Sequence, residues 1–179
     1  MKVWVASWNL DQALVFARAL GQEITIPIGQ PCRSRSDSAE IGRRTGLPII
    51  LDECVFTMAD LVAAHAAGVT GVNIKLSRVG GLTKARILRD AAVSLEMMVN
   101  VDDTWSCALT AAQNLQLAAS TRSDRLRAVD LFAEWTNPLI SEIPRMKSNG
   151  RISPVSLPGN GFGPVNVEYL GEPLFQITG

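Results

Sequence analysis

The segment Gly71-Val72-Asn73-Ile74-Lys75-Leu76-Ser77-Arg78-Val79-Gly80-Gly81-Leu82 decides how this chain reads. Val72, Ile74 and Leu76 alternate with Gly71, Asn73 and Lys75, the period of a strand with one apolar and one polar face. A helix follows, starting near Thr83 and running through Lys84-Ala85-Arg86-Ile87-Leu88-Arg89-Asp90. Val79-Gly80-Gly81 reads as the turn between them, since glycine reaches backbone angles closed to other residues. Lys75 thus falls near the C-terminal end of a strand that feeds a helix. In parallel α/β folds, binding and catalytic groups gather at that end. Two readings of the ammonium stay open: a functional group, or a charge carried out to water on its long stem.

The same alternation of strand and helix extends to both sides. Upstream, strands are expected at Lys2 to Ala6, Glu23 to Ile26, and Pro48 to Glu53. Pro27 ends the second of these, because proline sits badly inside a sheet. Helices are expected after Asn9 or Asp11, from Asp37 to Thr45 with Gly46 behind it, and from Thr57 to Gly68. Thr57 with Asp60 resembles a capping box with a shortened acid. Downstream, Leu95 to Val101 and Leu126 to Leu131 read as strands around a helix from about Ser106 to Ala119. Six strands alternating with five helices imply a parallel sheet with right-handed crossovers. Residues 1–133 form that unit. Residues 134–179, with Pro138, Pro144, Pro154, Pro158, Pro164 and Pro173, read as a loop-rich tail.

Composition narrows the function. Across 179 residues the formal net charge is zero and 47% of residues are hydrophobic, an ordinary globular composition. No basic run interleaves with aromatic residues, so a nucleic-acid surface is not expected. No apolar stretch approaches the roughly 20 residues of a membrane span. The apolar part of the N-terminus is too short for a signal peptide. Cys32, Cys54 and Cys107 are odd in number and far apart, which favours a reducing cytoplasm over a disulfide framework.

The strand exits carry the chemistry. Asp52 and Glu53, Lys75, Asp102 and Asp103, and Asp130 with Glu134 occupy four of the six. Carboxylates facing a lysine suit a hard divalent cation and a proton-transfer group. Equally, acidic residues there can cap the next helix and complement its N-terminal dipole. His65, alone of its kind, sits mid-helix among alanines and reads as a helix-face residue. The cysteines lack Cys-x-x-Cys spacing and read as small buried residues.

These motifs together resemble the C-terminal barrel part of the enolase superfamily, in its mandelate racemase and muconate lactonizing enzyme branch. Within that branch they look most like dehydratases and epimerases of proline derivatives. Arg43-Arg44-Thr45-Gly46-Leu47-Pro48-Ile49-Ile50-Leu51-Asp52-Glu53 is similar to the fifth barrel strand, and Asn73 to Ala85 is similar to the sixth. Gln30-Pro31-Cys32 follows the fourth, and Asp102-Asp103-Thr104-Trp105 the seventh. Pro158-Gly159-Asn160-Gly161-Phe162-Gly163 resembles the glycine-rich segment that ends these enzymes.

The resemblance implies an α/β fold, an incomplete (β/α)7β TIM-like barrel starting at the third strand. It implies Mg²⁺-assisted removal of a proton from the carbon beside a carboxylate, with a lysine or histidine base. Lys75 matches the acid/base lysine, Asp52 the third metal ligand, and Asp102 and Asp103 lie where substrate would bind. The other two ligand positions depart: Val3 stands where an aspartate is expected, and Gly29 where a glutamate is expected. The capping domain and the Lys-x-Lys of the second strand are not in the sequence. Mg²⁺ is therefore not expected to bind tightly. Three readings follow: a truncated protein inactive as this chain alone, half of an enzyme needing a separate N-terminal chain, or a binder of a small carboxylate or amino-acid-derived molecule. Unpaired sheet edges would also permit a homo-oligomer.

Overall fold

The structure, a computed structural model, describes residues 8–20, 26–102, 107–131, 140–141, 152 and 163–173. Helix α1 (Leu10–Ala19) starts at Asn9, whose side chain accepts from the Gln12 amide while Gln12 reaches back to the Asn9 amide. This reciprocal cap satisfies two donors that the first turn leaves over. Ala13, Leu14 and Ala17 form its buried face. Strand β1 (Ile28–Gly29) leads to α2 (Arg35–Thr45), then β2 (Ile49–Leu51) and α3 (Met58–Ala66). Strand β3 (Gly71–Lys75) runs into a one-turn helix, α4 (Leu76–Val79), and then α5 (Leu82–Ser94). Strand β4 (Met98–Asp102), helix α6 (Ala108–Ala119) and strand β5 (Leu126–Val129) complete the described sheet, and a 3-10 turn covers Val167–Leu170.

Five strands pair in parallel in the order β1-β2-β3-β4-β5. A sheet that keeps its sequence order is wound in one direction, as in a barrel; a doubly wound sheet would reverse at a switch point. The described sheet is the arc expected of the C-terminal part of a TIM-type barrel. The expected strand at Lys2 to Ala6 lies outside the described residues, as does most of the tail.

Three sequence expectations need correction. Of the expected second strand, Glu23 to Ile26, residues 23–25 lie outside the described residues and Ile26 is not in a strand, whereas a strand forms beyond Pro27, at Ile28–Gly29. Proline is tolerated at the approach to a strand, and Ile28 donates to the Pro48 carbonyl immediately beyond it. The turn after Lys75 contains a helical turn, α4, which Gly80 closes at φ 89° and Gly81 leaves at φ 104°. Both angles favour glycine. Finally, the strand expected from Leu95 to Val101 begins at Met98 and ends at Asp102, because Leu95 still closes α5.

The sheet separates two environments. Leu51, Val72, Ile74, Val99 and Val101 point into a core built with Leu61, Leu88, Ala92 and Leu117 of the helices. The alternate positions Asp52, Asn73, Lys75, Asn100 and Asp102 are also buried, but polar. Register aligns them: Asn73 pairs with Asn100 and Lys75 with Asp102. Gly71 allows the close approach of β3 and β4, since a Cβ there would lie 2.7 Å from the Met98 carbonyl oxygen.

Candidate active site

The strand period places Asn73 and Lys75 on one face of β3, and register sets Asp102 beside Lys75. Asp52 arrives from the end of β2. Lys75 is only 4% exposed, so its charge is not carried to solvent. Instead its Nζ lies 3.3 Å from Asp52 Oδ2 and 3.5 Å from Asp102 Oδ2. Asn73 Nδ2 donates to the same two oxygens, at 2.8 and 2.7 Å. A carboxamide nitrogen has two hydrogens, and each is spent on one carboxylate.

Two residues that sequence reasoning did not assign a role complete the cluster. Arg78 Nη1 donates to both Oδ1 and the carbonyl oxygen of Asp52, each at 2.6 Å. Its guanidinium sits 5.6 Å from the centre of the Phe56 ring, a cation–π contact. Arg78 follows Lys75 by three residues, the spacing that α4 brings onto one side. Gln30, at φ 23°, turns its Oε1 onto the backbone N–H groups of Asp52 and Cys54. That is an uncommon backbone angle for a residue with a side chain. It ties the end of β1 to the end of β2.

The remaining candidates divide. Asp52, Lys75 and Asp102 converge at the C-terminal ends of their strands. Glu53 lies in the turn after β2, outside this cluster. Val3 and Asp103 lie outside the described residues. His65 is exposed in the last turn of α3. Cys32 is buried, and Cys54 and Cys107 partly so, all three free thiols. Burial pushes the Cys32 and Cys54 thiols above their ordinary range, with help from Asp37 at Cys32 and Glu53 at Cys54. Raised thiols are poor metal ligands, which need the thiolate.

A magnesium ion would need several oxygen ligands held in near-octahedral geometry. Gly29 pairs in register with Ile50, two residues before Asp52, so a side chain at 29 would share the face of Asp52. Glycine supplies none. Asp52 has already committed both oxygens, Oδ1 to Arg78 and Oδ2 to Asn73 and Lys75. Among the described residues no three His, Cys, Asp or Glu side chains are grouped to hold a metal. The described residues do not fit the ion. Among them, too, no helix is long and apolar enough to cross a membrane.

Comparison with known proteins agrees with this arrangement of strands. Residues 5–166 match the family described as Enolase C-terminal domain-like. The chain is 35% identical over 174 residues to a cis-3-hydroxy-L-proline dehydratase of Roseibium aggregatum, covering 96% of this chain and 46% of the relative. It is 31% identical over 137 residues to an L-Ala-D/L-Glu epimerase of Bacteroides thetaiotaomicron, covering 73% and 33%. A crystal structure of an enolase superfamily member from Roseovarius nubinhibens ISM, complexed with magnesium, superposes with a TM-score of 0.85 at 34% identity. That match covers 95% of this chain and 46% of the other. The chain thus spans less than half the length of these relatives.

Proposed function

Because the chain belongs to the Enolase C-terminal domain-like family, we propose that it forms the Lys75-bearing arc of a mandelate racemase/muconate lactonizing enzyme-type barrel. In this reading Lys75 exchanges a proton with the carbon beside a carboxylate of an amino-acid-derived molecule. This chain by itself does not complete a racemisation, epimerisation or dehydration.

The observation that carries the reading is the Lys75 ammonium, buried at a strand end between Asp52 and Asp102. A proton-transfer group needs a fixed position within hydrogen-bond reach of its target. Here two carboxylates orient Nζ, and Asn73 fixes those carboxylates. The named relatives act on amino-acid derivatives, which supports that substrate class. A positioned acid/base is worth only about 10²–10⁴-fold. Electrostatic stabilisation of developing charge is usually the larger contribution. Gly29 and the committed Asp52 leave that contribution unsupplied within the described residues, which supports inactivity of the chain alone.

The test measures deuterium exchange from D₂O into the α-carbon of proline-type substrates. The chain alone should show none. A chimera carrying the N-terminal half of a cis-3-hydroxy-L-proline dehydratase, with Gly29→Glu and with Arg78→Met to free Asp52 Oδ1, should show exchange that Lys75→Met abolishes. Exchange by the unmodified chain, or exchange in the chimera that survives Lys75→Met, would refute the reading.

A further inference from the structure

We infer that Arg78 is the resident counter-ion of Asp52, and that this guanidinium keeps a divalent cation from the strand ends even when the carboxylate absent at position 29 is restored. The inference deepens the reading above, because it concerns the same cluster.

Three observations carry it. Arg78 Nη1 holds both the side chain and the backbone of Asp52, Oδ1 and the carbonyl oxygen each at 2.6 Å. The same guanidinium rests on Phe56, so it is held from a second side, and its side chain is 12% exposed. The other carboxylate oxygen of Asp52 already faces Lys75 Nζ and Asn73 Nδ2. Asp52 and Asp102 carry two negative charges, and Lys75 and Arg78 two positive ones, so these four groups balance. Arginine cannot shed its proton to make way for a metal. An incoming dication would have to displace it, leaving the guanidinium beside the new charge in a buried setting where like charges repel strongly.

Among the described residues, position 29 is the natural place to restore a ligand, since its register partner Ile50 shares the face of Asp52. If Gly29 were the whole cause, Gly29→Glu would suffice to create metal binding. The contacts of Arg78 predict that it does not.

The experiment titrates Mn²⁺ into the full chain and counts the free ion by electron paramagnetic resonance, with no substrate present. The proteins are the unmodified chain, Gly29→Glu, Arg78→Met, the double variant, and the double variant with Asp52→Asn. Thermal melts followed by circular dichroism establish that each is folded. Arg78→Gln, which keeps a donor for the Asp52 carbonyl without the charge, replaces Arg78→Met if that variant does not melt cooperatively. The double variant should bind Mn²⁺ at least about tenfold more tightly than Gly29→Glu, the repulsion from one fixed charge having gone. Asp52→Asn should abolish the gain. Gly29→Glu binding as tightly as the double variant would overturn the inference. So would a folded double variant that binds no better than Gly29→Glu, or binding by the unmodified chain that Asp52→Asn removes. Failure of the Lys75-dependent exchange would refute the proposed reaction and leave these titrations unaffected.

Discussion

Asn73 and Lys75 divide the same two acceptors: the amide nitrogen and the ammonium both face Oδ2 of Asp52 and Oδ2 of Asp102. Two residues apart on one strand, they act as a single donor unit. Removing either leaves the carboxylates to the other.

That sharing sets the cost of substitution. Lys75→Met takes the ammonium from two buried carboxylates, which keep Asn73 and, at Asp52, Arg78, and should destabilise the fold by about 3 kcal/mol. Asn73→Leu should cost about 1.5–3 kcal/mol, the range for a hydrogen bond to a charged group. The two losses should not add, because the sites share partners. Urea unfolding of both single variants and the double checks this. Strict additivity would show that the two donors work independently.

Arg89 joins helices α5 and α6. It is buried, and its Nη1 donates to the Leu117 carbonyl and to the Ser120 and Thr121 hydroxyls at 2.7 to 3.0 Å. Arg89→Met should lower stability by about 2 kcal/mol. Its neighbour Asp90 is largely exposed, so Asp90→Ala should stay within about 0.5 kcal/mol of the unmodified chain. Equal effects from the two in thermal unfolding would contradict this division.

Asn114 is fully buried in α6, and among the described residues neither its amide nitrogen nor its amide oxygen has a hydrogen-bond partner. An unmet buried polar group costs about 1–3 kcal/mol. Asn114→Leu, similar in size, should therefore raise the melting temperature. A fall would show that the amide is satisfied in solution.

The capping box of α3 gives a pH signature. Asp60 accepts from the Thr57 hydroxyl and from the Phe56 and Thr57 amides, and the Thr57 bond above all holds its carboxyl below the usual range. A depressed folded value means stability present above about pH 3.9, the ordinary aspartate value, and lost as pH falls through the lower folded one. Thr57→Val should cost about 1 kcal/mol at neutral pH through the lost cap. The gap between the two proteins should narrow below pH 4, where Asp60 takes a proton. A gap that widens on acidification would exclude this account.

Much of the site was legible because the period of a strand is unambiguous. Alternation from Gly71 to Leu76 placed Lys75 on a polar face, and the phase of neighbouring strands brought Asp52 and Asp102 to it. Arg78 was hidden. Its role depends on α4, one helical turn too short to leave a periodic signal, and on Phe56, distant in sequence. Asn73 was visible as a polar-face residue, but nothing local says that its amide spans two carboxylates from two other strands. Proline's missing donor marks Pro27 as the end of a strand, yet a described strand begins just beyond it, at Ile28. A proline that cannot donate within a ladder can still stand at its threshold. Gln30 carries a backbone angle that no side-chain pattern announces.

The registered pairing of β3 with β4 extends over five residues from Gly71 with Met98 to Lys75 with Asp102, whereas β1 meets β2 through two. Longer ladders between sequence neighbours close small loops and open rarely. Amide hydrogens of Val72 to Val101 should thus be the last to exchange with solvent, and those near Ile28 among the first. During synthesis, the β3-α5-β4 unit can form as soon as its second strand emerges, without waiting for the rest of the chain. Asp52, synthesised before both strands, is already at hand when the lysine and its carboxylate neighbour on β4 meet.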